Sequence, residues 1–127
     1  MCDSVDADLL GLCLDTGHYF FGGGDPLEAV RLYGARIRHL HLKDVKPSIL
    51  ESARRDGAGF LEAVGRGVFC ELGEGAVDLR KVVQEVTDLG RSEWAIVEQD
   101  VDARNENVKP FDSAVRSRQY LKNVIGI

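Results

Sequence analysis

The sequence predicts an α/β fold of about three parallel βα units, and three observations predict it. Short apolar runs at residues 9–14, 37–42 and 94–97 each close in a charged side chain, namely Asp15, Lys43 or Glu98. Segments patterned for helix lie between them. Where no long connection intervenes, successive strands are about 30 residues apart, the average spacing of one unit in a (β/α)8 barrel.

The first strand is LLGLCL, which reads as a buried strand running into a loop at Asp15, Thr16, Gly17 and His18. After the glycines at 22–24, Asp25 can cap a helix whose first position is Pro26, where a missing N–H costs nothing. Leu27, Val30 and Gly34 of that helix are expected to face the sheet. Ile37–Leu42 is the second strand. Residues 46–76 form an insertion with short helices over about 48–55 and 58–65, followed by the glycine-framed turns GRG and GEG. From Asp78, the positions Leu79, Val82, Val83, Val86 and Leu89 recur at helical spacing, and Gly90 sits where a left-handed cap is wanted. WAIV at 94–97 is the third strand. A last helix starts near Asp112 and is expected to bury Ala114, Leu121, Val124 and Ile125.

Alternating strands and helices imply right-handed crossovers and a parallel sheet with helices outside it. Three units cannot close a barrel, so the expectation is a partial (β/α)8 TIM barrel forming a single domain over residues 1–127. Its bare inner face and open strand edges should drive association.

Composition fits a folded chain and excludes several classes. The 127 residues carry 16 basic and 21 acidic side chains, a net charge of −5, with 44% hydrophobic and 29% charged. That is a globular balance. Without a Lys/Arg block there is no field for a phosphate backbone or an acidic membrane, so nucleic acid and membrane partners are not expected. No apolar run is long enough to span a bilayer. The acidic start and the odd set Cys2, Cys13 and Cys70, which has no CxxC pairing, suit a cytoplasmic protein with reduced thiols.

Parallel α/β folds bind ligands beyond the carboxyl ends of their strands. Asp15, His41 and Glu98 are therefore placed to converge, and two carboxylates with an imidazole form a recognisable site for a divalent cation. Alternation sets Gly11, Cys13 and Asp15 on one face of the first strand, and Ile37, His39, His41 and Lys43 on one face of the second. Plainer roles stay open for each residue. An aspartate closing a strand also serves as a turn or helix cap. His39 or His41 can be a hydrogen-bonded core residue, and Glu98 can be solvated or paired with Lys or Arg. Gly22–Gly24 lack dinucleotide-loop spacing and read as a flexible loop. Trp94 suits the core better than a sugar-stacking platform. Glu74 serves chain reversal, or else projects into the site.

LDTGH, HLHLKD and VEQD together resemble the last three βα units of the xylose-isomerase-like barrel superfamily, with its inosose dehydratase group the nearest likeness. The GGGDP loop, FLEAVGRGVF and the GEG turn extend the resemblance over nearly the whole chain. It implies a divalent metal, Mn, Co or Mg before Zn, held by Asp15, His41 and Glu98. It also implies a small polyol or sugar substrate touched by His18 and Lys43. The implied reaction is proton abstraction beside a carbonyl with a metal-stabilised enolate, giving isomerisation, epimerisation or dehydration. Glu98, His18 and Lys43 are the catalytic candidates.

The family's further metal ligand is a glutamate on the strand before LDTGH, and it has no counterpart in residues 1–8. The expected partner is thus a second copy of the chain or a complementing N-terminal half. The competing reading is a non-catalytic partial barrel, an assembly subunit or an inactive remnant. Abasic-site nucleases of the same superfamily need a larger histidine cluster and a basic groove, whereas here His18, His39 and His41 are the full complement.

Overall fold

A computed structural model describes residues 4–90 and 94–127. It is α/β, with a parallel sheet in the order β1-β2-β5, formed by Leu12–Asp15, Ile37–Leu42 and Ala95–Val97. Helix α1 is Thr16–Phe21, α2 Pro26–Tyr33, α3 Pro47–Arg55, α4 Phe60–Gly65, α5 Leu79–Leu89 and α6 Pro110–Tyr120. A two-stranded antiparallel ribbon, β3 (Asp44–Val45) with β4 (Phe69–Cys70), extends beyond the end of β2.

The predicted second strand and the helices after Asp25 and Asp78 form where their patterns place them. Asp25 accepts a hydrogen bond from the Leu27 backbone N–H at 2.9 Å, and Gly90 caps α5 in the left-handed region at φ 61°. The buried face of α5 is Leu79, Val82, Val83 and Val86. These residues meet Leu14, Leu40 and Leu42 from the sheet and Val30 from α2 in the main core. A second cluster, Val45, Leu50, Ala53, Ala63, Val68 and Phe69, lies under α3 and α4.

Four expectations change. The first strand starts at Leu12 instead of Leu9, because the backbone N–H groups of Leu9 and Leu10 both donate to the Asp6 carbonyl and hold that stretch in a turn. The stretch after it is not a loop: the Asp15 carboxylate accepts from His18 N–H at 2.8 Å and opens a helix immediately. The last helix turns Ser113 and Ser117 inward, leaving Ala114 and Val124 exposed. Its buried hydroxyls bond to Glu71 Oε1 and the Leu72 N–H, so this helix leans on the chain leaving β4. Trp94, expected in the core, is 68% exposed, and Ile96 is 43% exposed. Among the described residues β5 is an outer strand, paired with β2 alone.

Leu121 and Ile125 do pack on the main core. Cys13 and Cys70 are free thiols, and Cys2 lies outside the described residues. Among the described residues, no helix is long and apolar enough to cross a membrane.

Candidate metal and substrate site at the strand ends

Register brings the predicted strand-end residues together. Asp15 pairs with His41 across β1 and β2, and His41 pairs with Ile96 across β2 and β5. The ladder then continues, with Glu98 N–H donating to the Leu42 carbonyl at 3.0 Å, and Glu98 lies two residues past Ile96 on the same face of an extended chain. One ligand atom each from Asp15, His41 and Glu98 therefore falls within 4.8 Å of the others. His41 Nδ1 is 3.1 Å from Glu98 Oε1 and 3.7 Å from Asp15 Oδ2. Two carboxylate oxygens and an imidazole nitrogen at this separation fit a divalent cation, whose bonds to such donors run about 2.0–2.2 Å.

Lys43 lies against this cluster. Its side chain is 1% exposed, and Nζ stands 3.0 Å from Asp15 Oδ2, 3.2 Å from Glu98 Oε2 and 3.0 Å from Asp100 Oδ2. Nζ is also 2.8 Å from His18 Nε2 and sits over the Phe69 ring, 5.3 Å from its centroid. Burial acts to lower the Lys43 pKa, but the hydrogen bonds with Asp100 and Asp15 outweigh it and hold the ammonium above its usual value. Burial likewise acts to raise that of Asp100, and His18 and Lys43 more than reverse it, so this carboxyl is held below the usual range. Three carboxylates against one ammonium leave two negative charges, the complement of one divalent ion.

The backbone beneath is fixed by the rest of the DTGH motif. Thr16 Oγ1, fully buried, donates to the Lys43 carbonyl at 2.7 Å and accepts from the Lys43 N–H at 2.9 Å. This clamps the start of α1 to the end of β2. His18 projects from the same helix to Asp100, with Nε2 at 2.8 Å from Oδ2.

The structure thus gathers all five sequence candidates, Asp15, His18, His41, Lys43 and Glu98, at one end of the sheet. His39 stays outside the cluster, its ring edge-on to that of His41 at 5.3 Å between centroids. Glu74 turns toward Lys46 at 4.0 Å.

Two residues that sequence reasoning missed shape the site. Asp100 follows Glu98 by two positions, so strand alternation puts both on one side, a signal present in VEQD. Asp44, fully buried, accepts from the N–H groups of Val45, Gly73, Gly75 and Val77 at 2.9–3.1 Å and thereby folds the GEG turn around itself. Three of those donors, Gly73, Gly75 and Val77, lie some 30 residues downstream, beyond any local pattern. Beside Asp100 is a cavity of about 310 Å³, lined by Phe69, Glu71, Gln99, Asn105 and Arg116 among others.

Comparison with known proteins places this geometry in context. A family model described as a xylose isomerase-like TIM barrel matches residues 1–124. A Klebsiella pneumoniae protein named inosose dehydratase is 40% identical over 119 residues, covering 91% of this chain and 39% of the relative. Proteins of the same name from Geobacillus thermodenitrificans and Bacillus cereus are 35% and 32% identical over the whole chain, which covers 42% of each. The chain therefore spans about two fifths of the length of these curated relatives.

Proposed function

The chain belongs to the xylose isomerase-like TIM barrel family, and from that membership we propose that its strand-end cluster serves a metal-dependent reaction on a small polyol or ketose, of the inosose dehydratase kind. The observation that carries this reading is the meeting of Asp15, His41 and Glu98 within 4.8 Å, with the Lys43 ammonium alongside. Asp15, His41 and Glu98 would hold a divalent cation, Mn, Co or Mg, whose contribution when bound is Lewis-acid polarisation of a carbonyl.

The chain's own groups handle protons and orientation. Glu98, with Oε1 toward His41 and Oε2 toward Lys43, is the local carboxylate placed to take the proton from the carbon beside the carbonyl. His18, whose side chain is half-exposed, is placed to meet substrate oxygens, and the buried Lys43 ammonium 2.8 Å behind it supplies positive charge to the site. With an inosose, the C–H bond breaks to the base and hydroxide leaves the neighbouring carbon, departing as water after protonation. With a ketose, returning the proton to a different carbon or face gives an isomer or epimer. The cavity beside Asp100, with Gln99, Asn105 and Ser113 in its lining, offers a place for the hydroxyls.

Metal stoichiometry tests this proposal. Wild type should retain about one Mn or Co per active unit by elemental analysis, and His41→Ala should lose it. Unchanged metal content in that variant refutes the assignment. Turnover of 2-keto-myo-inositol with Mn, followed by appearance of the unsaturated diketone, tests the reaction, and ketose sugars form the second substrate set.

A second reading is favoured by β5, exposed along its length at the edge of the sheet. In it the chain is a non-catalytic assembly piece, and turnover on any of these substrates removes it. On either reading the outer strands β1 and β5 call for partners, supplied by self-association or by a chain carrying the remaining strands. Sedimentation showing a stable monomer in dilute solution would count against association.

A further inference from the structure

We infer that Asp100 is a positioning residue: its carboxylate holds the Lys43 ammonium beside the Asp15–His41–Glu98 cluster, and aligns His18 with it, so that the ammonium does not settle between the cluster's own carboxylates. Three carboxylates share one Nζ, at 3.0 Å for Asp15, 3.2 Å for Glu98 and 3.0 Å for Asp100. Two of these belong to the cluster and draw the ammonium onto the oxygens a cation would use. Asp100 supplies the pull from outside it, and the same Oδ2 that accepts from Nζ lies 2.8 Å from His18 Nε2.

Outside the cluster the ammonium also meets His18 Nε2 at 2.8 Å, but among the described residues Asp100 is the one carboxylate that pulls it outward. The Lys43 side chain is 1% exposed, so water cannot stand in for a lost carboxylate, and the Phe69 ring beneath it attracts the charge without fixing its position. The Lys43 backbone is pinned at both its N–H and its carbonyl by Thr16 Oγ1, so the ammonium can respond only through its own side-chain torsions. Asp100 is 39% exposed on its side chain, so replacing it leaves the cores intact.

Two measurements on the full chain decide the matter. The first is the Lys43 ammonium resonance in a 15N-correlated NMR spectrum, assigned by its absence in Lys43→Met. It should be protected from solvent exchange in wild type, shifted in Asp100→Asn as the ammonium moves onto Asp15 and Glu98, and returned toward its wild-type position in Asp100→Glu. A resonance unaltered by Asp100→Asn overturns the inference.

The second is a Co titration followed by visible absorbance, which rests on the cation reading proposed above. Asp100→Asn should weaken Co binding about tenfold, the scale of one charge-assisted hydrogen bond. The same substitution made in Lys43→Met should change it less than about twofold, because the residue acts through the ammonium. An equal loss in both backgrounds overturns the inference. If the wild-type chain binds no Co, the cation reading fails and the ammonium resonance alone judges Asp100.

Discussion

Gly17 and Lys43 are fitted to one another: a Cβ on residue 17 would stand 2.5 Å from Cγ, 2.8 Å from Cβ and 2.9 Å from Cδ of the lysine. The atoms crowded are the root of the side chain, which cannot swing aside as a tip can. The glycine of the DTGH motif therefore exists to let the lysine lie flat across α1.

Gly17→Ala should accordingly cost about 1–3 kcal/mol, the range of an overpacked core site, and should displace the ammonium from its partners. Urea unfolding checks the first effect. An unchanged midpoint would mean that the lysine root has room that this geometry denies it.

Asp44 is a buried carboxylate whose partners are backbone N–H groups from its own ribbon and from the GEG turn. Asp44→Asn replaces an acceptor by a group that is half donor and weakens charge-assisted bonds, so a loss of about 2–4 kcal/mol is expected. A Cβ at Gly75 would collide with Asp44 Oδ1. Gly75→Ala and Asp44→Asn should therefore disrupt the same turn, and the double variant should lose less than the two single losses combined. Full additivity in denaturant melts would contradict this.

The Arg116 guanidinium, with the Ser113 hydroxyl, holds the Glu71 carboxyl down to about 2 from its ordinary 4.5. A depressed carboxyl stabilises the fold fully above its unfolded value, and that stability is lost as pH falls from 4.5 toward 2. Half-exposed Arg116 is screened by water, so about 1–2 kcal/mol is expected rather than the full value of the shift. Stability curves of wild type and Glu71→Gln should converge on acidification across that window. Parallel curves there would sink the assignment.

The two described cysteines should differ in reactivity. Burial pushes the Cys70 thiol up to about 12, with the nearby Asp44 carboxylate adding to the effect, whereas Cys13 is exposed and raised less. Peptide mapping after brief iodoacetamide treatment at pH 8 should find Cys13 alkylated and Cys70 intact, with Cys70 reacting once the chain unfolds. Equal labelling of the native protein would show that β4 opens readily.

Much of this was legible in the sequence because it rests on short-range rules. The second strand, the α5 face and the caps at Asp25 and Gly90 follow from periodicity and local hydrogen bonding. Asp15, His41 and Glu98 could be placed because parallel strands in register must align their ends. The β3–β4 ribbon could not, since two-residue strands carry no periodicity and the pair is organised around Asp44 by distant N–H groups. Trp94 was misjudged because apolar strand composition says nothing about whether a neighbouring strand is present to cover it.

Asp15 gives one oxygen to the His18 N–H that starts α1 and turns the other toward Lys43 and His41. Serine or asparagine could still start the helix but would surrender the anion; glutamate would keep the anion but caps poorly. Position 15 thus answers to two unrelated demands at once and admits one residue type. Anyone redesigning this end of the protein for a different chemistry would have to leave that aspartate alone and alter its neighbours.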